Sequence, residues 1–174
     1  MPFSFQRMKS NEIYKGRVFT ITVDTVELPD GRSAEREIVH HNGGVCVLAL
    51  TEDGNVPLVR QFRHGADKEM LELPAGKLEL GESPEACGRR ELAEECGLNA
   101  DSFVSLGRIY PTPAYCGEII HIFLAKGLTE TEKNPDEDEF LSVEYVSLNK
   151  LRGMCRSGEI EDAKTVAAVF RAEV

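Results

Sequence analysis

Gly76-Lys-Leu-Glu-Leu-Gly-Glu-Ser-Pro-Glu-Ala-Cys-Gly-Arg-Arg-Glu-Leu-Ala-Glu-Glu-Cys-Gly-Leu98 is the stretch that decides how this chain folds. Its second half carries the marks of a helix. Ser83 is a good N-cap, Pro84 suits the first helical position, Glu85 falls in the first turn and Gly97 suits a left-handed stop. Ahead of the helix lies a loop punctuated by Pro74, Gly76 and Gly81. On the helix, Glu91, Glu94 and Glu95 stand at i, i+3 and i+4 and so share one stripe. Like charges placed this way cost a helix roughly 0.2–0.5 kcal/mol per pair. A hard divalent cation, which prefers oxygen ligands, turns that liability into a site. A solvated acidic face is the usual meaning of such a cluster. The spacing of its neighbours decides against that.

The spacing runs Gly76, five residues, Glu82, seven residues, Arg90-Glu91-Leu92, one residue, Glu94-Glu95, one residue, Gly97-Leu98. It resembles the Nudix box with every fixed position filled. Nine specified positions across 23 residues are far more specific than a lone glycine fingerprint. The resemblance implies hydrolysis of a nucleoside diphosphate linked to another group. It implies Glu91 and Glu95 as direct metal ligands, with Glu94 binding directly or through water and the carbonyl of Ala75 completing the shell. The implied ion is Mg2+, with Mn2+ as the alternative. Arg90 belongs to the catalytic group as the residue that orients a neighbouring glutamate, Glu82 foremost.

Segments flanking the box narrow the substrate. Gln61-Phe62-Arg63, Leu71-Glu72-Leu73-Pro74-Ala75-Gly76-Lys77 and the run from Tyr110 to Glu118 are similar to the ADP-ribose pyrophosphatase branch. That branch carries a proline beyond the box, and Pro113 stands sixteen residues after Gly97. Tyr14 to Phe19 and Arg36 to His41 resemble it as well. Three departures stand out: Ala114 and Asn42 replace a glycine and a proline common in the branch, and Gly88 lies inside the helix at a cost of about 1 kcal/mol. None removes a catalytic group.

The resemblance implies a role for each flank. Arg63 offers a planar fork suited to phosphate oxygens. Arg36 and Glu37 belong near the nucleoside end, Pro113 to the substrate loop, and Phe19 to stacking on adenine, against its plainer reading as a core residue of a strand. A base must also activate water. The branch uses a glutamate on a loop between the last strands, and alignment with that loop implies Glu137 as the candidate base and Glu139 as a further metal ligand, with the two roles exchanged as the alternative. The expected reaction is hydrolysis of ADP-ribose to AMP and ribose 5-phosphate. Alternatives are another nucleoside diphosphate sugar such as GDP-mannose, an oxidised nucleotide, or, from a different class, a non-catalytic ADP-ribose-binding sensor. Intact Glu91, Glu94 and Glu95 argue against the sensor.

Composition sets limits. The 174 residues suit one domain of ordinary size, and 41% hydrophobic content suits a globular core. No apolar run approaches the ~20 residues of a membrane span, and Met1 to Ser10 shows no apolar signal region, so a cytoplasmic protein without membrane partner is expected. Five cysteines without a C-x-x-C read as reduced thiols. A formal charge of −10 works against nucleic acid as partner. A small phosphate-bearing substrate stays open, because bound metal and a few arginines invert the local potential.

Around the box the pattern predicts strand-like alternation over 12–28, a turn at Pro29-Asp30-Gly31 and a return strand at 34–41. Val45 to Leu50 reads as a strand buried on both faces. Further strands are expected at Val56–Arg63, Met70–Leu73, Phe103–Ile109, Ile119–Ala125 and Leu141–Val146, with helices at about 148–156 and 162–173. The fold class is α/β, resembling the Nudix α/β/α sandwich with a mixed sheet, residues 43–174, preceded by an N-terminal antiparallel β extension, residues 1–42. An isolated hairpin is marginal in water. Pairing the extension across a two-fold axis would bury Ile13, Val18, Phe19, Ile21 and Val23, and the branch resembles this, so a homodimer sharing its nucleoside pocket is expected.

Overall fold

The computed structural model describes residues 4–134 and 140–173. Their backbone divides into two compact units: the described residues up to Gly43 with Tyr110–Ile119, and Gly44–Ile109 with the residues from Ile120 onward.

The first unit is built on an antiparallel sheet of β1 (Gln6–Lys15), β2 (Phe19–Glu27) and β3 (Ser33–His41), in that order. The alternation over 12–28 conceals a reversal. The N–H of Gly16 donates to the carbonyl of Phe19 at 3.0 Å, and the two arms pair with Asn11 opposite Val23. Gly16-Arg17-Val18 contains one glycine and no Pro, Asn or Asp, so its turn signal is weak. The second turn lies where Pro29-Asp30-Gly31 predicts it: Gly31 has φ 83° and the Asp30 carboxylate accepts from the N–H of Arg32 at 3.1 Å. Tyr110–Ile119 adds to this unit through Val39, whose N–H donates to Tyr115 and whose carbonyl accepts from Gly117. Every residue of β1 is exposed.

The second unit holds two sheets. One has the order β7 (Ala75–Lys77), β4 (Gly44–Ala49), β9 (Ile120–Glu130), β8 (Leu98–Ile109), with β4 and β9 parallel and the other pairs antiparallel. The other has the order β10 (Leu141–Ser147), β5 (Asn55–Arg63), β6 (Lys68–Glu72), antiparallel throughout. All six residues of β4 are buried, as its unbroken apolar run predicts. Alternate side chains go to opposite faces. Cys46 and Leu48 pack with Leu151 and Met154 of α2 (Leu148–Ser157) and Ala168 and Val169 of α3 (Ala163–Arg171), while Val47 and Ala49 pack with Leu92 and Cys96 of α1 (Pro84–Cys96). The result is the expected α/β/α sandwich.

Both ends of α1 match the sequence. Ser83 Oγ accepts from the N–H of Ala86 at 3.2 Å, and Gly97 takes φ 68°. The chain pairs again at once, Leu98 opposite Glu130, so β8 starts directly after the helix and before the predicted Phe103. The glycine inside the helix has a packing reason. A Cβ on Gly88 would lie 3.0 Å from the Phe103 ring and 3.3 Å from Val47, so its absence lets α1 settle close to the sheet. Cys46, Cys87 and Cys96 are buried, and all five cysteines are free thiols. No helix among the described residues is long and apolar enough to cross a membrane.

Candidate active site

The box assembles around one guanidinium. Arg90 turns its Nε and Nη2 onto Glu82, at 3.0 and 3.1 Å, and its Nη1 donates to Glu91 at 2.8 Å and to Glu94 at 2.9 Å. Arg90 is thus bonded to Glu82 and to two further carboxylates. Glu82 also accepts from the N–H of Glu79 at 3.0 Å, which closes the loop ahead of the helix. Arg90 beside it holds the Glu82 carboxyl down at about 2, so this group stays ionised at any physiological pH.

Glu91 and Glu95 face inward from α1, 8% and 1% exposed. Their places are set by the strand that precedes the helix. The N–H of Ala75 donates to Glu95 Oε2 at 2.9 Å. Gly76 pairs with Val45, and a Cβ on Gly76 would stand 1.8 Å from Glu91 Oε1. A side chain at this position would push the Glu91 carboxylate from its place. The first fixed position of the motif is thus explained by a collision avoided rather than by a turn.

Among the described residues, no group of three or more His, Cys, Asp and Glu stands ready-made around a metal-sized point. The donor set nevertheless suits a hard cation. Its side-chain donors are all carboxylate oxygen, and a single Arg90 nitrogen touches both Glu91 and Glu94, so the two converge on one point of positive charge. Glu137 and Glu139, the expected base and additional ligand, lie outside the described residues.

Arg63 is held by an unexpected partner. Its Nε and Nη2 grip Glu72 at 2.8 and 2.7 Å, which leaves Nη1 as the edge it can offer a phosphate. Glu72 is 1% exposed and also accepts from Lys164 at 2.5 Å. Burial raises the Glu72 carboxyl, but Arg63 and Lys164 more than offset it and hold it below its ordinary value. Burial likewise opposes the charge on Lys164, and Asp162 and Glu72 keep that pKa above the ordinary lysine value. Sequence reading missed Glu72, Asp162, Lys164 and Thr165, because Lys164 and Thr165 meet residues 92 positions away. The one available signal was a glutamate set inside the apolar run Met70 to Leu73.

The remaining expected residues belong to the first unit. Phe19 is 39% exposed and tilts against Tyr14, with ring centroids 5.7 Å apart. Arg36 stacks over Phe5 at 5.5 Å and donates to the carbonyl of Glu35. Glu37 lies opposite Val23 in the sheet. Pro113 lines a cavity of about 250 Å³ with Ile38, Tyr110, Tyr115, Cys116 and Gly117.

The chain is similar to known proteins along most of its length. The NUDIX domain matches residues 40–169, and the nucleoside diphosphate sugar hydrolase N-terminal domain matches residues 5–39. An ADP-ribose pyrophosphatase of Bacillus subtilis is 42% identical over 160 residues, covering 91% of this chain and 86% of that protein. A methanol dehydrogenase activator of Bacillus methanolicus is 40% identical over 169 residues, covering 96% and 91%. A GDP-mannose pyrophosphatase of Yersinia enterocolitica is 30% identical over 188 residues, covering 100% and 97%. A crystal structure of an ADP compounds hydrolase superposes with a TM-score of 0.84 over 97% of this chain and 91% of that one, at 22% identity, which speaks for the fold. With the domain match spanning most of the sequence and a relative 42% identical over 91% of it, the chain belongs to the Nudix hydrolase family.

Proposed function

We propose that this protein hydrolyses the pyrophosphate of ADP-ribose to AMP and ribose 5-phosphate, as a cytoplasmic homodimer that uses Mg2+ or, in its place, Mn2+. The observation that carries the reading is the convergence of Glu91 and Glu94 on one nitrogen of Arg90, on the helix that also carries Glu95. The likeness to a relative named ADP-ribose pyrophosphatase supports the substrate, and the matched N-terminal domain supports a nucleoside diphosphate sugar more broadly.

Glu91, Glu94, Glu95 and the Ala75 carbonyl would hold the ion, with Glu139 as a further ligand. Bound there, a divalent cation neutralises the phosphate oxygens that otherwise repel water. Arg90 keeps Glu82 ionised and presents Glu91 and Glu94. Glu137 takes a proton from the attacking water, the new P–O bond forms, and the bridging P–O bond breaks to release the two monophosphates. Arg63, through Nη1, contacts phosphate. Phe19, Arg36, Glu37 and Pro113 recognise the nucleoside end, from the same chain or from a second copy.

The dimer is argued from β1. Met8 and Ile13 are 62% and 64% exposed, and Tyr14, Val18 and Phe19 are exposed beside them. Exposed apolar side chains in such number on one hairpin are what a second copy of the chain could cover. Light scattering is expected to give twice the mass of one chain, and a monomer mass would refute the dimer.

The decisive assay compares ADP-ribose, GDP-mannose and an oxidised nucleotide at equal concentration with Mg2+, with and without chelator. ADP-ribose is expected to exceed the others in kcat/KM by at least about tenfold, and chelation to abolish turnover. Preference for GDP-mannose would overturn the substrate assignment. Binding of ADP-ribose without any turnover would establish the sensor instead.

A further inference from the structure

The segment that leads into the box is tied down at five consecutive residues. Glu72 bonds Arg63 and Lys164. The N–H of Leu73 donates to Thr165 Oγ1 at 2.9 Å, and the carbonyl of Pro74 accepts from Val47 at 2.9 Å. The N–H of Ala75 reaches Glu95, and Gly76 pairs with Val45 while making room for Glu91. Two of these ties, at Glu72 and Leu73, come from the first turn of α3.

That turn is built for the task. Asp162 is the N-cap and accepts from the N–H of Thr165 at 3.0 Å, so the capping bond is made without a hydroxyl at position 165. Yet Thr165 is fully buried, and its hydroxyl donates to Asp162 Oδ2 at 2.5 Å. Donation in that direction leaves a lone pair for the N–H of Leu73. Lys164 completes the arrangement by bridging Asp162 Oδ1, at 2.9 Å, to Glu72. One carboxylate therefore caps the helix, aims the threonine and holds the lysine.

We propose that Asp162, Lys164 and Thr165 are positioning residues for hydrolysis: they fix the register of Glu72–Gly76 and, through Ala75 and Gly76, the placement of Glu95 and Glu91. The proposal rests on the reading of Glu91 and Glu95 as the working carboxylates. A site of this kind loses rate steeply with small displacements, so a distant anchor on the segment that carries its contacts has leverage over turnover.

Thr165→Val keeps the shape and removes the acceptor for Leu73, while Thr165→Ser keeps the acceptor. Hydrogen exchange across Leu71–Lys77, Mn2+ binding followed by electron paramagnetic resonance, and ADP-ribose kinetics are measured on the full chain. Thr165→Val is expected to speed exchange across the segment, weaken Mn2+ binding and lower kcat, each by about tenfold, with KM within about threefold. Thr165→Ser is expected to restore all three. Unchanged exchange and kcat in Thr165→Val, or a serine variant as impaired as the valine one, would overturn the proposal. Should Thr165→Val not fold, Lys164→Gln is expected to loosen the same segment, and exchange there equal to wild type would overturn it. If the wild type hydrolyses none of the substrates tested, the functional reading falls. Exchange and Mn2+ binding then still decide the positioning role, which fails if neither changes.

Discussion

Glu91, Glu94 and Glu95 arise within two turns of one helix, whereas the cations around Glu72 are drawn from two distant segments. In the box, one guanidinium serves three carboxylates, Glu82, Glu91 and Glu94. Around Glu72 the charges balance, with Arg63 and Lys164 set against Glu72 and Asp162. The contrast teaches how to tell two uses of buried charge apart. A balanced network compensates its own desolvation and holds in place the segments that it ties together. Carboxylates gathered on one cation along a single helix face are an arrangement that a cation-binding site can use.

The comparison is most exposed to failure at Glu95. Glu95→Gln keeps an acceptor for the Ala75 N–H but removes the charge a hard cation requires. Turnover is expected to fall about 10³-fold or more while the melting temperature holds, because the acidic stripe is relieved of repulsion. Near-normal turnover would remove Glu95 from the site. Next in size is Gly76→Ala, whose methyl collides with the Glu91 carboxylate. A loss of about 10²-fold in kcat is expected from displacing that group, and a rate within threefold of wild type would show that Glu91 can move without cost.

Glu72→Gln tests the other cluster, and the expected loss is of stability. The variant leaves Arg63 and Lys164 facing a neutral amide. Because Arg63 keeps 40% side-chain exposure, the cost is set below that of a fully buried pair, at about 2 kcal/mol at neutral pH. The Glu72 carboxyl is raised by burial and lowered further by Arg63 and Lys164, for a net value below the ordinary one. Its contribution is therefore present above the unfolded-chain value of about 4.3 and is lost as pH falls through the folded value. Denaturant melts of wild type and variant should converge in that acidic window, and a gap that persists there would mean the loss is not electrostatic. The smallest effect belongs to the half-exposed pair Arg60–Glu144, joined at 2.7 Å across β5 and β10. A double-mutant cycle there is expected to give about 0.5 kcal/mol or less, and a coupling several times larger would contradict the distinction between surface and buried networks.

How much of this could be read beforehand follows from range in sequence. The helix with Ser83 and Gly97 at its ends, the buried strand at Val45 and the carboxylate stripe are local patterns, and each appears where its residues predict. The turn at Gly16-Arg17-Val18 was hidden because its residues signal weakly, and the three-residue β7 is too short for any periodicity. Gly88 looked like a defect until Phe103 and Val47 were seen against it.

The sequence by itself determined the reaction class, because the box chemistry needs residue types at fixed short spacing on one helix, and such spacing survives in one dimension. The tertiary structure alone decided that a side chain at Gly76 would push the Glu91 carboxylate aside, that Arg63 gives two donors to Glu72, and that the first turn of α3 holds Leu73. Those facts depend on which surfaces meet when apolar strands are covered from both sides, and residues 92 positions apart carry no mark of meeting until the chain has folded.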